Sequence, residues 1–272
     1  MCDINGCGSQ KSNKPLPKVT ALDRRQFSLG LASLPLATVL AYPDLAKAAS
    51  HMMEDFSLPT ANGHTVTGSL AKPKGGTGPA VLLIHEWWGL NDQIRAVAHE
   101  LSEMGYLALA IDLYDGQYGA TRDEAMSLMK GMDEAAATEK LVTAVNWLRA
   151  NGSGKVATMG WCFGGGWSLN TSLATPVDAT VIYYGRVNKS AADLQSLSSP
   201  VLGHFGTLDK SINKDMVNGF EAALKEAGKT DYTNYWYEAD HAFANPTGSR
   251  YDEKDAALAW TRTTSFLKEH LG

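Results

Sequence analysis

Six short and mostly apolar runs lie between Pro79 and Tyr237, with helix-like segments filling most of the intervals between them. They are Pro79–His85, Leu107–Ile111, Lys155–Met159, Ala179–Tyr183, Val201–Phe205 and Tyr232–Tyr237. A strand with one wet face alternates apolar and polar residues, whereas a continuous apolar run such as Ala80-Val81-Leu82-Leu83-Ile84 suits a strand covered on both faces. Helical segments are expected from Asn91 or Asp92 to about Met104, where Gly105 supplies a stop, and over Arg122–Met132, Asp133–Ala150, Asn213–Ala227 and Glu253–Leu271. Thr65–Ala71 reads as an early edge strand after an Ala61-Asn62-Gly63 turn. Strands that alternate with helices call for an α/β architecture: a mainly parallel, doubly wound sheet with helices on both faces and right-handed crossovers. Function then gathers at the carboxyl ends of the strands.

The 272 residues are 44% hydrophobic and 19% charged, an ordinary globular composition. No like-charge block, repeat or low-complexity run divides the chain after position 50, so one domain is expected over 49–272. Residues 1–48 differ. Asp23-Arg24-Arg25-Gln26-Phe27 precedes an apolar stretch from Leu29 to Ala41, and Ala46-Lys47-Ala48 gives a small-x-small cleavage pattern. This segment resembles a twin-arginine export signal, which implies the export machinery as a partner and a periplasmic or otherwise exported mature chain. Without the signal the chain would act in the cytoplasm. Pro35 and Pro43 interrupt the apolar stretch, and a membrane span needs about 20 apolar residues, so no stable span is expected.

Loss of residues 1–48 would remove six of 24 basic and three of 29 acidic residues and leave a net charge of −8. That balance argues against a nucleic-acid partner, which needs clustered Lys and Arg. Cys2 and Cys7 would leave with the signal, so the mature chain would carry Cys162 alone and form no internal disulfide. The seven His show no His-x-x-x-His or His-x-His spacing, and no metal or other cofactor is expected. A monomer is the expected state.

Cys162 occupies the centre of Gly160-Trp161-Cys162-Phe163-Gly164, between the Lys155–Met159 strand and a helix opening through Gly164-Gly165-Gly166. A sharp strand-to-helix turn of this kind holds a nucleophile over the unpaired N–H groups and positive dipole end of the helix. Serine is the usual occupant, but a thiolate is intrinsically the stronger nucleophile. An ordinary thiol is only a few per cent ionised at neutral pH, so a base is required. His241, just beyond the Tyr232–Tyr237 strand, is the choice, with His85 as rival because it too ends a strand. Asp209, beyond Val201–Phe205, would accept from the other ring nitrogen and fix the tautomer. The backbone N–H groups of Phe163 and Trp87 are the expected oxyanion donors. Glu86 stands beside the pocket.

His85-Glu86-Trp87-Trp88-Gly89, Asp112-Leu113-Tyr114, Gly160-Trp161-Cys162-Phe163-Gly164-Gly165, Tyr183-Tyr184-Gly185, Gly206-x-x-Asp209 and His241-Ala242-Phe243 together resemble the dienelactone hydrolase (carboxymethylenebutenolidase) family over roughly 56–271. The resemblance implies an α/β-hydrolase fold, a Cys162–His241–Asp209 triad, an ester or lactone substrate, and a Glu86 that keeps the resting thiol protonated until substrate arrives. It also implies substrate-carboxylate arginines, one just after the histidine, where this chain has Asn245; Arg122 lies in the region of the other. An amide cannot supply a charge-assisted fork, so an uncharged or differently anchored ester or lactone fits the sequence at least as well. Trp87, Trp88, Tyr114, Tyr118 and Phe163 are candidates for an aromatic substrate wall. A thiol-dependent acyltransferase or peptidase on the same fold, and a ligand-binding pseudoenzyme, stay open as alternatives.

Overall fold

The computed structural model describes Lys47 and residues 51–272. The expected export signal therefore lies outside the described residues, Lys47 apart. Eight strands form one sheet in the order β1-β2-β4-β3-β5-β6-β7-β8. They are β1 (Glu54–Pro59), β2 (Thr65–Ala71), β3 (Ala80–Ile84), β4 (Leu107–Asp112), β5 (Val156–Trp161), β6 (Ala179–Tyr183), β7 (Val201–Gly206) and β8 (Tyr232–Tyr237). β1 and β2 form an antiparallel hairpin, β2 runs antiparallel to β4, and every pairing from β4 to β8 is parallel. The helices are α1 (Asp92–Glu103), α2 (Arg122–Gly131), α3 (Glu134–Asn151), α4 (Phe163–Ala174), α5 (Lys214–Glu226) and α6 (Glu253–Leu271).

The edge differs from the sequence reading. Thr65–Ala71 is the second strand, and the unexpected β1 lies outside it. β1 buries Phe56 and half-buries Leu58, while Glu54, Asp55, Ser57 and Pro59 face solvent, so it carries the polar residues and proline of an edge and little strand signal. Phe56 meets Trp147 of α3 edge to face, with ring centroids 4.7 Å apart.

The two faces of β3 explain its unbroken apolar run. Val81 and Leu83 join Val97 and Leu101 of α1 and Leu267 of α6 in one core. Leu82 and Ile84 point the other way, into Leu141, Val145 and Leu148 of α3. A third cluster packs Phe220 and Leu224 of α5 against Phe205 of β7. Each such leucine removed from water stabilises the fold by about 1.5–3 kcal/mol. Beneath α4 runs a buried chain of hydroxyls. Ser168 donates to Thr158 at 3.0 Å, Ser172 meets Thr180 at 2.6 Å, and Thr180 meets Ser199 at 2.7 Å, tying β5, α4, β6 and the approach to β7 together. Among the described residues no helix is long and apolar enough to cross a membrane.

The start of α4 crosses the strand ends with no room for side chains. A Cβ on Gly160 would strike the Gly164 carbonyl, whereas one on Gly219, on the exposed face of α5, would meet nothing within 4 Å. Gly160→Ala is expected to lower stability by about 1–3 kcal/mol through overpacking. Gly219→Ala is expected to raise it by about 0.4–1 kcal/mol by restricting the unfolded chain and favouring the helix. Urea unfolding of the two variants beside the parent checks the opposite signs.

Candidate active site

Cys162 sits at the turn from β5 into α4 with φ 55° and ψ −115°, a left-handed backbone that costs a side-chain-bearing residue on the order of 1–3 kcal/mol. Two backbone bonds hold it there: its N–H donates to the Tyr183 carbonyl at 2.9 Å, and its own carbonyl accepts from Gly166 at 3.3 Å. Asn91, Thr121, Asp133, Asn213 and Asp252 cap the other five described helices with a side-chain oxygen, but α4 has no such bond at its N-cap, which is Cys162. The first N–H groups of α4 therefore lack a side-chain cap, and a helix offers them no internal acceptor.

His241 and Asp209 converge on the sulfur. His241 Nε2 lies 3.1 Å from Cys162 Sγ, and its Nδ1 lies 2.6 Å from Asp209 Oδ2. Asp209 Oδ1 accepts from the backbone N–H groups of Ser211 at 2.7 Å and Ile212 at 2.9 Å, so both carboxylate oxygens are engaged. Burial alone would raise the Asp209 carboxyl, but the bond and charge of His241 and these two N–H groups carry it below its usual range. Burial likewise favours neutral His241, yet the Cys162 sulfur and the Asp209 carboxylate outweigh it and push the imidazole up to about 10. The chain Asp209–His241–Cys162 thus favours a protonated imidazole facing the sulfur. Backbone strain clusters here. Of four described non-glycine residues with positive φ, three are Cys162, Tyr184 and Ala242, the last beside His241.

His85, the rival base, has a structural place. Its Nδ1 donates to the Glu86 carbonyl at 2.6 Å, its Nε2 accepts from the Leu113 N–H at 3.1 Å, and burial holds it neutral.

Glu86 and Asn245 depart from the sequence expectation together. Asn245 Nδ2 donates to Glu86 Oε2 at 2.6 Å, and Asn245 Oδ1 accepts from Thr247 through its N–H and its hydroxyl. Asn245 therefore positions a carboxylate of its own chain rather than a substrate group. The Cys162 sulfur faces His241, while the Glu86 carboxylate is held by Asn245. Burial raises the Glu86 carboxyl, opposed by the charge of His241 and the Asn245 bond. Tyr184 lies within electrostatic reach of both Glu86 and Cys162, although neither its hydroxyl nor Glu86 Oε1 has a hydrogen-bond partner of normal geometry. Its ring meets His241 edge-on, with centroids 5.2 Å apart.

Cys162 and His241 open on a cavity of about 490 Å³. Trp87, Phe163, Trp167 and Met129 give it apolar walls, and Arg186 and Lys189 bring positive charge. Five expected substrate residues are not on this wall: Asn245 is held against Glu86, Tyr118 is exposed to solvent, and Trp88, Tyr114 and Arg122 lie elsewhere. Trp88 is buried in the core against Trp87, with centroids 4.9 Å apart. Tyr114 is buried behind Phe163, with centroids 5.8 Å apart. Arg122 is the first residue of α2 and reaches neither of the two cavities at this end of the sheet. Apolar or charged character alone does not reveal which way a side chain turns. Arg186 and Lys189 are not among the expected site residues, although their place after the carboxyl end of β6 is a signal for them; Tyr184, expected only as part of the Tyr183-Tyr184-Gly185 motif, joins them on the wall.

The family model described as "Dienelactone hydrolase family" matches residues 66–271. The chain belongs to the dienelactone hydrolase family. Two relatives are similar over most of their own length. It is 29% identical over 234 residues to a carboxymethylenebutenolidase of Pseudomonas putida, covering 79% of this chain and 96% of the relative. It is 31% identical over 222 residues to protein usf of Aquifex pyrophilus, covering 77% and 96%. Among solved structures, a dienelactone hydrolase-like promiscuous phosphotriesterase from metagenomic libraries superposes with a TM-score of 0.73 at 26% identity, over 81% of this chain and all of that one. A Thermogutta terrifontis esterase, at 16% identity and a TM-score of 0.60 over 81% of this chain and 95% of the other, shares the fold. This dienelactone hydrolase family member is an ester or lactone hydrolase with the α/β-hydrolase fold.

The raised imidazole has a consequence for stability. A group whose folded pKa exceeds its ordinary 6.5 stabilises the fold fully below that value, and the contribution is lost as pH rises through about 10. The urea midpoint is expected to fall across this window. Cys162→Ala, which removes the sulfur that raises His241 most, is expected to flatten that fall.

Proposed function

We propose that this enzyme hydrolyses esters or lactones through a covalent thioester on Cys162. One observation carries the reading: a single imidazole bridges the sulfur at 3.1 Å and the Asp209 carboxylate at 2.6 Å. His241 holds the proton that leaves the thiol, and the sulfur attacks the carbonyl carbon. The new oxyanion is met by the N–H groups of Phe163 and Trp87, two residues that line the same cavity. As the carbon–oxygen bond breaks, His241 Nε2 passes its proton to the departing alkoxide. In a lactone that oxygen stays attached to the acyl group. Water then attacks the thioester with His241 as base, and the sulfur leaves as thiolate to regain its imidazolium partner. Asp209 keeps the ring in the tautomer and orientation that both steps need. Glu86 acts at one remove: its charge favours protonated His241, and Asn245 keeps that carboxylate clear of the sulfur.

Cys162→Ala is expected to abolish hydrolysis of p-nitrophenyl acetate, and His241→Ala to slow both turnover and alkylation of Cys162 by iodoacetamide. Parent-level turnover in Cys162→Ala would overturn the reading. Mass spectrometry of the parent mixed with substrate should detect the acyl group on the Cys162 peptide.

Arg186 and Lys189 make a carboxylate-bearing ester a good fit for this cavity, in place of the arginine that Asn245 replaces. Arg186 is solvent-exposed, which limits its pairing strength. Arg186→Gln is expected to raise KM for a monoanionic ester by about fivefold and leave that of its neutral methyl ester unchanged, as steady-state kinetics on the pair would read.

A further inference from the structure

A second cavity, of about 360 Å³, lies at the same end of the sheet between α1 and α6. Its volume falls in the ~300–1,000 Å³ range of small-molecule sites. Tyr184 is a wall common to both cavities, but Cys162 and His241 line only the other one. The hydrolytic reading uses nothing in this space except Glu86 and the Asn245 that holds it, both of which border it.

Three features define what the cavity would accept. Its walls are aromatic, with Trp161 and Tyr184 from the strand ends, Tyr251 from the loop before α6, and Trp260 from α6 itself. Its only charged lining residues are carboxylates: Glu86 and, from α1, Glu100, with no Lys, Arg or His among them. Arg250 acts on Glu86 electrostatically from outside this wall, where it lies 3.9 Å from Asp240. Finally, Glu86 Oε1 and the Tyr184 hydroxyl, both buried in lining residues, act on each other without forming a hydrogen bond of normal geometry. Glu86 Oε1 therefore keeps acceptor capacity for a donor placed in the cavity.

We propose that this cavity is a second small-molecule site, for a primary organic ammonium of about one ring in size. The ammonium is drawn to Glu86 and Glu100, the apolar body lies among the indole and phenol rings, and the ring faces add cation–π attraction. An anion meets two carboxylates on the lining, where no cationic side chain lies; His241 and Arg250 act on Glu86 from outside it. A neutral ring gains the apolar contacts alone. The site is distinct in sign from the hydrolytic cavity, whose lining includes Arg186 and Lys189.

The test uses the full chain carrying Cys162→Ala, so that binding is read without covalent chemistry and independently of the hydrolytic reading. Benzylammonium is titrated by calorimetry and by tryptophan fluorescence, beside benzyl alcohol and benzoate. Saturable binding at one site is expected for benzylammonium, about tenfold weaker for the alcohol and weaker still for benzoate. Ala256→Phe, on the α6 wall, fills the space and should weaken binding at least about tenfold. In the enzyme with Cys162 intact, the same substitution should leave p-nitrophenyl acetate turnover unchanged. Glu100→Gln should weaken benzylammonium about threefold, and circular dichroism checks that both variants are folded. Benzoate binding as tightly as benzylammonium, undiminished binding in folded Ala256→Phe, or no saturable binding to the folded Cys162→Ala chain would each overturn the proposal.

Discussion

The site depends on a backbone that Cys162 would not adopt by itself. A left-handed residue between a buried strand and a helix is uphill, and the surroundings must enforce it. They do so through contact rather than through the cysteine: Gly160 lets α4 lie on the end of β5, Gly164 lets it pass the end of β3, and the Cys162 N–H is fixed to β6. The reward is a thiol raised above the sheet edge, at the positive end of a helix that spends no side chain on capping itself. Ala242, next to His241, also takes a left-handed backbone. Strain thus lies on Cys162 and beside its imidazole partner.

Around that pair, charge is arranged in layers. Asp209 has both oxygens committed, one to His241 and one to two backbone N–H groups, so it is a fixed counter-charge. Glu86 is less constrained, with one oxygen held by Asn245 and the other unpartnered. An arginine at position 245 would pair its charge with that carboxylate; the amide only hydrogen-bonds to it, which leaves more of the Glu86 field for neighbouring groups. The family resemblance implies a substrate role at position 245; in the structure its side chain bonds to Glu86.

Much of this was legible before any coordinates. β3, β4, β5 and β7 announce themselves because both faces are covered, which forces apolar residues into consecutive positions. β1 does not, because one inward phenylalanine among acidic residues, a serine and a proline is weak periodicity. Cys162, His241 and Asp209 could be named since each closes a strand at the functional end of the sheet. The substrate wall could not. Trp88 and Tyr114 are as aromatic as Trp87 and Phe163, and only packing decides that the first two turn inward. The Glu86–Asn245 bond spans 159 positions, a separation over which no local rule operates.

The hydroxyl chain under α4 carries a lesson for redesign. Thr158, Ser168, Ser172, Thr180 and Ser199 are buried and satisfy one another, so each alcohol is both solvent and solute for the next. Trimming one to a hydrocarbon strands its neighbours and is costly, whereas exchanging adjacent members in concert for alkyl groups of matching shape can be nearly neutral. The foundation of the turn that carries Cys162 is therefore reachable by simultaneous replacement and closed to stepwise change.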